Sequence, residues 1–424
     1  MGRRSIPLKL GQRDEVVQVP EENLVAVVEP RERPAVPDPV AEVRRALAEP
    51  IVSPRLCEMV RPGQKVAIMV SDITRPAPTS VLLPPLLREL SSAGVREHDV
   101  TIVFGMGIHR RHSPEEQRAL VGDGVFKRFR CVDSSELEVV NLGETSRGTP
   151  LEVARPVAEA DVRVATGNIE LHYFAGYTGG AKAFMPGAST RKAIEHNHAM
   201  QLLPGAAPGR IEGNPVREDI DEFAKRIGAA FIVNAVLNSH KEIVACLAGH
   251  LIEAHREGCK LVDSMYKVEI PEPADIVVAS AGGAPKDINV YQAQKALDNA
   301  RWAVRPGGII ILIASCREGF GESTFERWIM EARTAHDLIE RLKKGFVLGG
   351  HKAAAIARVL EVAQVWLVSE LAPGVVRSLM FRPFGSGQEA LDRAIAEKGN
   401  GCKVIVMPRA GVTLPCTPGV RAGG

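Results

Sequence analysis

Residues 65–90 read KVAIMVSDITRPAPTSVLLPPLLREL, and this stretch decides the fold. The run KVAIMV is a short apolar run that ends in a polar loop, and it reads as a strand. A polar loop follows, and then a leucine-rich helix through VLLPPLLREL. The same strand–loop–helix unit recurs outward from it. VTIVF (100–104) leads into GMGIHRRH and a helix that opens at Ser113, where Pro114 and Glu116 complete a capping box. DVRVAT (161–166) is a third strand. Residues 215–268 read as helices around a short apolar run, FIVNAVLN.

Pro271-Glu272-Pro273 is the most plausible linker. Beyond it come DIVVAS (275–280), the loop GGAPKD, the helix INVYQAQKALDNARWAV and, after Arg305-Pro306-Gly307-Gly308, the strand IIILIAS. VWLVSE and KVIVMP supply further strands of that sheet. Strands alternating with helices at this spacing predict an α/β fold of two domains with mainly parallel sheets flanked by helices, residues 1–269 and a Rossmann-like 270–424. In the first sixty residues the one clear element is a helix capped by Asp38, with Pro39 in its first turn.

A chain of 424 residues is too long for one compact core. Its net charge of +2 gives no reason to expect a nucleic-acid surface. The start, MGRRSIPLKLGQRDE, has no apolar h-region, and no window reaches the eighteen apolar residues of a membrane span. Seven scattered cysteines without a C-x-x-C pair are neither a disulfide framework nor a zinc site, so a reduced, cytoplasmic enzyme is expected.

The charged loops all follow the C-terminal ends of strands, where ligands bind in open α/β sheets. Four such loops suggest a cleft between the two domains. Asp72-Ile-Thr-Arg75-Pro has the composition of an ordinary polar turn. As a site, Arg75 would clamp a carboxylate or phosphate while Asp72 holds its guanidinium. His109, after Gly105-Met-Gly-Ile, is either a surface histidine or a general acid/base; His112 reads as solvent-exposed.

The most specific segment is NIELHYFAGYTGGAKAFMPGASTRKAIEHNH, residues 168–198, with His172, Lys182, His196 and His198. Gly179 and Gly180 would permit close backbone approach, with N–H groups available to a phosphate. GGAKA is not a Walker A loop. Lys182, flanked by alanines, could serve as a nucleophilic amine or covalent anchor. On a helix capped by Ser189, His196 and His198 would diverge by roughly 200°, so one alone can face the site. One imidazole cannot hold a metal by itself, and no nearby Cys or Glu cluster completes a set. Gln292 and Lys295 are three apart and share a helical face.

In order along the chain, DITRP, GxHR, ExHxxAGxTGGAK, PG followed by NH, and GGxPKD followed by QxxK resemble the nickel-pincer-dependent lactate racemase family, over roughly residues 10 to 410. The resemblance implies a cofactor, pyridinium-3-thioamide-5-thiocarboxylic acid mononucleotide, whose two sulfurs and ring carbon bind Ni(II) and which is attached at Lys182. His198 would be the nickel ligand, completing a square plane. His109 and His172 would be the acid/base pair, and Arg75 and Lys295 would hold the substrate carboxylate. Asp72 and Gln292 would support cofactor or substrate.

The implied reaction is racemisation or epimerisation of a 2-hydroxy acid through a bound 2-keto acid, with the C2 hydrogen leaving and returning as hydride. Separate cofactor-biosynthesis proteins are implied partners. Lactate-acting members carry a C-terminal-domain tryptophan near the site. Here the matching stretch is GFVLGGHKAAAIAR (345–358), whose His351 and Lys352 suit a larger or more anionic substrate. Two other readings keep the fold: a nickel-free lysine enzyme using carbanion or Schiff-base chemistry, and a non-catalytic nickel or nucleotide carrier.

Overall fold

The computed structural model describes residues 2–417. They form two compact units: residues 32–264, and a second in which residues 2–31 join residues 265–417.

The 32–264 unit is organised by a six-stranded sheet. Its order is Ile243–His250, Phe231–Leu237, Val162–Ile169, Val66–Ser71, Val100–Gly105, Arg130–Asp133, parallel except for the first pair. Within KVAIMV, Val66, Ile68 and Val70 enter one apolar cluster, whereas Ala67 and Met69 enter another on the opposite face. A side-chain period of two with both faces covered is why this run lacks polar alternation. The helix Thr79–Ser92 covers the first face with Leu82, Leu83, Leu86, Leu87 and Leu90. Each buried leucine contributes about 1.5–3 kcal/mol.

The chain runs outward from the Val66–Ser71 strand in one direction and returns on its other side through Val162–Ile169. Pairing between these two strands ends at Met69 with Ala165, so they part just before Asp72 and Glu170. Such a switch in strand order leaves a crevice at the carboxyl ends, and there the candidate loops begin.

The other unit also carries a six-stranded sheet, all parallel: Arg382–Phe384, Ala363–Val368, Val304–Ile313, Ala274–Ser280, Val404–Met407, Leu24–Val27. The α/β expectation therefore holds, and the later apolar runs are strands of one sheet. The expected boundary, 1–269 against 270–424, differs from the structure because the N-terminal segment pairs with the C-terminal sheet. Leu24–Val27 adds its edge strand. Arg3–Leu10 and Arg13–Pro20 form an antiparallel hairpin whose Ile6, Leu8, Leu10, Val17 and Val19 share a core with Ile276, Val278 and Ile309. The alternation in RRSIPLKL is a half-buried strand, broken to the eye by Pro7.

Candidate active site

Asp72 follows the Val66–Ser71 strand and is almost fully buried, at 2% exposure. One carboxylate oxygen accepts from the Thr74 amide (3.1 Å) and hydroxyl (2.7 Å). The other meets His109 Nδ1. Burial pushes this carboxyl up, but the His109 contact, with help from Thr74 and Arg75, outweighs it and leaves the group below the usual carboxylate range. Asp72 therefore orients His109 rather than the Arg75 guanidinium. An ionised Asp72 takes the Nδ1 proton of His109 in its hydrogen bond, which leaves the lone pair of the neutral ring on Nε2.

His112 is not exposed: its side chain is fully buried. Its Nδ1 lies 2.9 Å from Asp133 Oδ1, and its Nε2 accepts from the Ile73 amide at 3.1 Å. It ties the Asp72–Arg75 loop to the end of the edge strand Arg130–Asp133. The capping box at Ser113 forms as expected.

Val162–Ile169 leads into a small turn in which Leu171 pairs with Tyr177 and His172 with Gly176. His172 Nδ1 accepts from the Ala175 amide at 3.2 Å, which places the proton of the neutral ring on Nε2. Burial, then Lys182, Arg75 and His198, hold His172 well below the ordinary histidine value. Phe174 is the hub of the site: its ring centroid lies 4.5 Å from His172, 5.0 Å from His198 and 5.9 Å from Lys182 Nζ. Lys182 is buried, and burial followed by Arg75 and Arg217 holds its amine well below the ordinary lysine value. A shift in that direction favours the uncharged amine, the form that acts as a nucleophile.

The turn is braced from below. The fully buried Arg217 donates to the carbonyls of Ala175 (3.2 Å) and Tyr177 and pairs with Asp221. Gly179 and Gly180 have a use other than the expected one. The Gly180 amide is taken by Asn234 Oδ1 at 2.7 Å. A Cβ on Gly179 would come within 2.8 Å of Ile169, and one on Gly180 within 2.8 Å of His255. With φ of +75° and +57°, these glycines let the loop pack inward.

His196 and His198 do diverge on the Arg191–Ala199 helix, which is capped by Thr190 rather than Ser189. His196 Nδ1 meets Thr149 Oγ1 at 3.0 Å, whereas the buried His198 packs on Phe174. Among the described residues no three His, Cys, Asp or Glu side chains gather in a way that could hold a metal ion. One imidazole, with a buried lysine amine of lowered proton affinity nearby, could hold only a metal-bearing group that brings its remaining ligands itself, as a pincer group would. Asp72, Arg75, His109, His172, Lys182 and His198 all belong to the 32–264 unit.

Gln292 and Lys295 lie on the Val290–Ala300 helix of the other unit, whose cap, Asn289, accepts from the Gln292 amide at 3.0 Å. In the same unit Lys352 donates to the Tyr291 carbonyl at 2.6 Å, and its Nζ lies 4.0 Å from the centroid of that ring. His351 is buried and held down to about 3 by burial and by Lys352. No helix is long and apolar enough to cross a membrane among the described residues.

Two open α/β sheets, with titratable groups gathered at a switch in strand order of one, define an enzyme-like site on a doubly wound scaffold. Comparison with known proteins gives the family. Residues 10–209 match the lactate racemase N-terminal domain and residues 270–414 the lactate racemase C-terminal domain. The lactate racemase of Thermoanaerobacterium thermosaccharolyticum is 34% identical over 376 residues, covering 86% of this chain and 88% of that protein. That of Lactiplantibacillus plantarum is 31% identical over 378 residues, with the same coverage of 86% and 88%.

The lactate racemase apoprotein structure from T. thermosaccharolyticum superposes with a TM-score of 0.88 at 31% identity, over 97% of this chain and 100% of that one. A Thermotoga maritima protein shares the fold at a TM-score of 0.63 and 18% identity, over 89% and 98% of the two chains. The chain belongs to the lactate racemase family.

Proposed function

We propose that this protein is an isomerase that racemises or epimerises a 2-hydroxy acid, with His109 and His172 as its acid/base pair. The observation that carries the reading is the opposite proton placement on the two imidazoles. His109 gives Nδ1–H to Asp72 and offers a lone pair at Nε2, whereas His172 accepts at Nδ1 and offers an N–H at Nε2. For one enantiomer the first ring takes the hydroxyl proton and the second donates a hydrogen bond to the developing carbonyl oxygen. The opposite enantiomer requires the roles exchanged: His172 then takes the hydroxyl proton at Nε2 after its own proton has moved to Nδ1, and His109, protonated at Nε2, is the donor, so racemisation needs both rings.

Arg75 lowers the proton affinity of both His172 and Lys182, so its charge acts on the groups read here as base and anchor. Arg75 holds the substrate carboxylate. A nickel-pincer nucleotide tethered to Lys182, with His198 as its protein ligand, supplies a reversible acceptor for the C2 hydrogen. The buried surroundings of Lys182, Phe174 and His198 exclude water from that position and strengthen every charge interaction within it.

The test is peptide mass analysis around Lys182 after expression alongside cofactor-biosynthesis proteins, combined with turnover of C2-deuterated substrate. The expected result is a modified lysine and deuterium returned to C2 of the product. An unmodified Lys182 in active protein, or label washed out to solvent, would point instead to carbanion or Schiff-base chemistry at that lysine.

A further inference from the structure

His198 does not stand alone. Its Nδ1 lies 3.0 Å from Oδ1 of the preceding residue, Asn197, which is completely buried. The amide of Asn197 can be oriented without ambiguity. Its Nδ2 faces the Val216 carbonyl at 3.3 Å and Asp219 Oδ2 at 2.7 Å. A carbonyl only accepts, so the NH2 must be on that side and the amide oxygen must face His198. An oxygen there can only accept in turn, and Nδ1 of His198 must carry a proton.

Asp219 is itself completely buried and pinned. Thr145 Oγ1 donates to one of its oxygens at 2.5 Å, and Thr149 Oγ1 donates to the other at 2.7 Å. Both threonines lie in the segment that joins the strands Val139–Glu144 and Pro150–Ala154, and Asp219 and Val216 lie on the helix Pro215–Arg226. Two elements remote in sequence therefore fix one amide, and that amide fixes one imidazole.

We propose that Asn197, anchored by Asp219, is a positioning residue that locks His198 in the Nδ1–H tautomer, so that the lone pair for a metal ion is on Nε2. This inference rests on His198 being the nickel ligand. The physical logic is that of a ligand imidazole whose second nitrogen is held by a hydrogen bond, which fixes ring orientation and tautomer together. His196, two residues away, is held by Thr149 on the other side of the same helix. The one polar cluster thus sorts the two histidines, holding one to the scaffold and presenting the other.

The decisive measurement is the proton position on His198 in the full-length chain without cofactor, by long-range ¹H–¹⁵N correlation on histidine-labelled protein, with His198→Gln used for assignment. We expect Nδ1 protonated in the wild type and a mixture of tautomers in Asn197→Leu. A wild-type ring with its proton on Nε2 overturns the proposal whatever the variant does.

In chain expressed with the cofactor-biosynthesis proteins, nickel per chain and the mass at Lys182 are followed during dialysis against a chelator. Asn197→Leu is expected to keep the lysine adduct and release nickel roughly 10–100-fold faster. Release at the wild-type rate would sink the positioning role while leaving the nickel reading intact. A wild-type chain with neither adduct nor nickel would sink the nickel reading, and the ring-proton measurement would still decide the tautomer lock.

Discussion

The segment Glu170–Lys182 and the loop Gly282–Asp287 begin alike. Each follows a parallel strand, each contains paired glycines, and each carries a lysine. Their outcomes are opposite. The first gathers His172, Lys182 and Phe174 into one small volume with His198. The second turns its buried acid onto the backbone: Asp287 Oδ2 accepts from the amides of Gly11 (2.6 Å) and Ser315 (3.1 Å). Gly283 leaves room for the same hairpin, since a Cβ there would come within 2.8 Å of the Gly11 carbonyl. Glycine-rich polar chain at a strand end is therefore a scaffold for either chemistry or packing, and what it faces decides which.

Substitutions can set the two regions against each other. The largest effect belongs to the first: His109→Ala and His172→Ala should each lower kcat for racemisation by about 10²–10⁴-fold per folded molecule, beyond the smaller fall in denaturation midpoint from the partner each leaves behind. Nickel should remain bound in both, and its loss in either would show a ligand mistaken for a base. Asp287→Ala should do the reverse. It leaves two backbone N–H groups without their acceptor, each costing about 1–3 kcal/mol, and lowers the denaturation midpoint. Its residual folded fraction should keep wild-type kcat. A large fall in kcat at unchanged stability would mean that the GGAPKD loop is chemical after all.

The smallest effect per group is the response to acid. His255 is held down to about 3 by burial and by the nearby Arg217 and Arg256, and His351 likewise to about 3. Both bind a proton in the unfolded chain below about pH 6.5 but not in the folded one, so stability is full above that value and declines as pH falls towards 3. At pH 5.5 each should cost about 1.4 kcal/mol. Asp72, whose carboxyl is lowered, keeps its contribution above the unfolded carboxylate value and loses it only as pH falls through its folded value. Denaturant titrations at pH 7.5 and 5.5 check this, with His255→Gln and His351→Gln each expected to remove one share of the decline. A wild-type stability that stays flat across the interval contradicts it.

Much of the fold was legible because both sheets are mainly parallel and their central strands are buried, which writes those strands as short apolar runs. The hairpin at residues 3–20 and the edge strand Leu24–Val27 were not: the hairpin alternates polar and apolar residues, and the edge strand is four residues long with its partner far along the chain. The site was legible as a set of residue types. His109 and Asp72 were both singled out, but their pairing was not, because they are 37 positions apart on neighbouring strand ends. Phe174 and Arg217 were missed: an aromatic among aromatics and an arginine on a charged helix carry no local signal of burial.

By itself the sequence determined the central strands of both sheets with the helices between them, and which titratable side chains sit at strand ends, because both follow from local periodicity and order along the chain. Tertiary structure decided which sheet the N-terminus joins, which carboxylate meets which imidazole and where each ring carries its proton. Those are matters of hydrogen-bond partners from distant segments, and no local pattern encodes them.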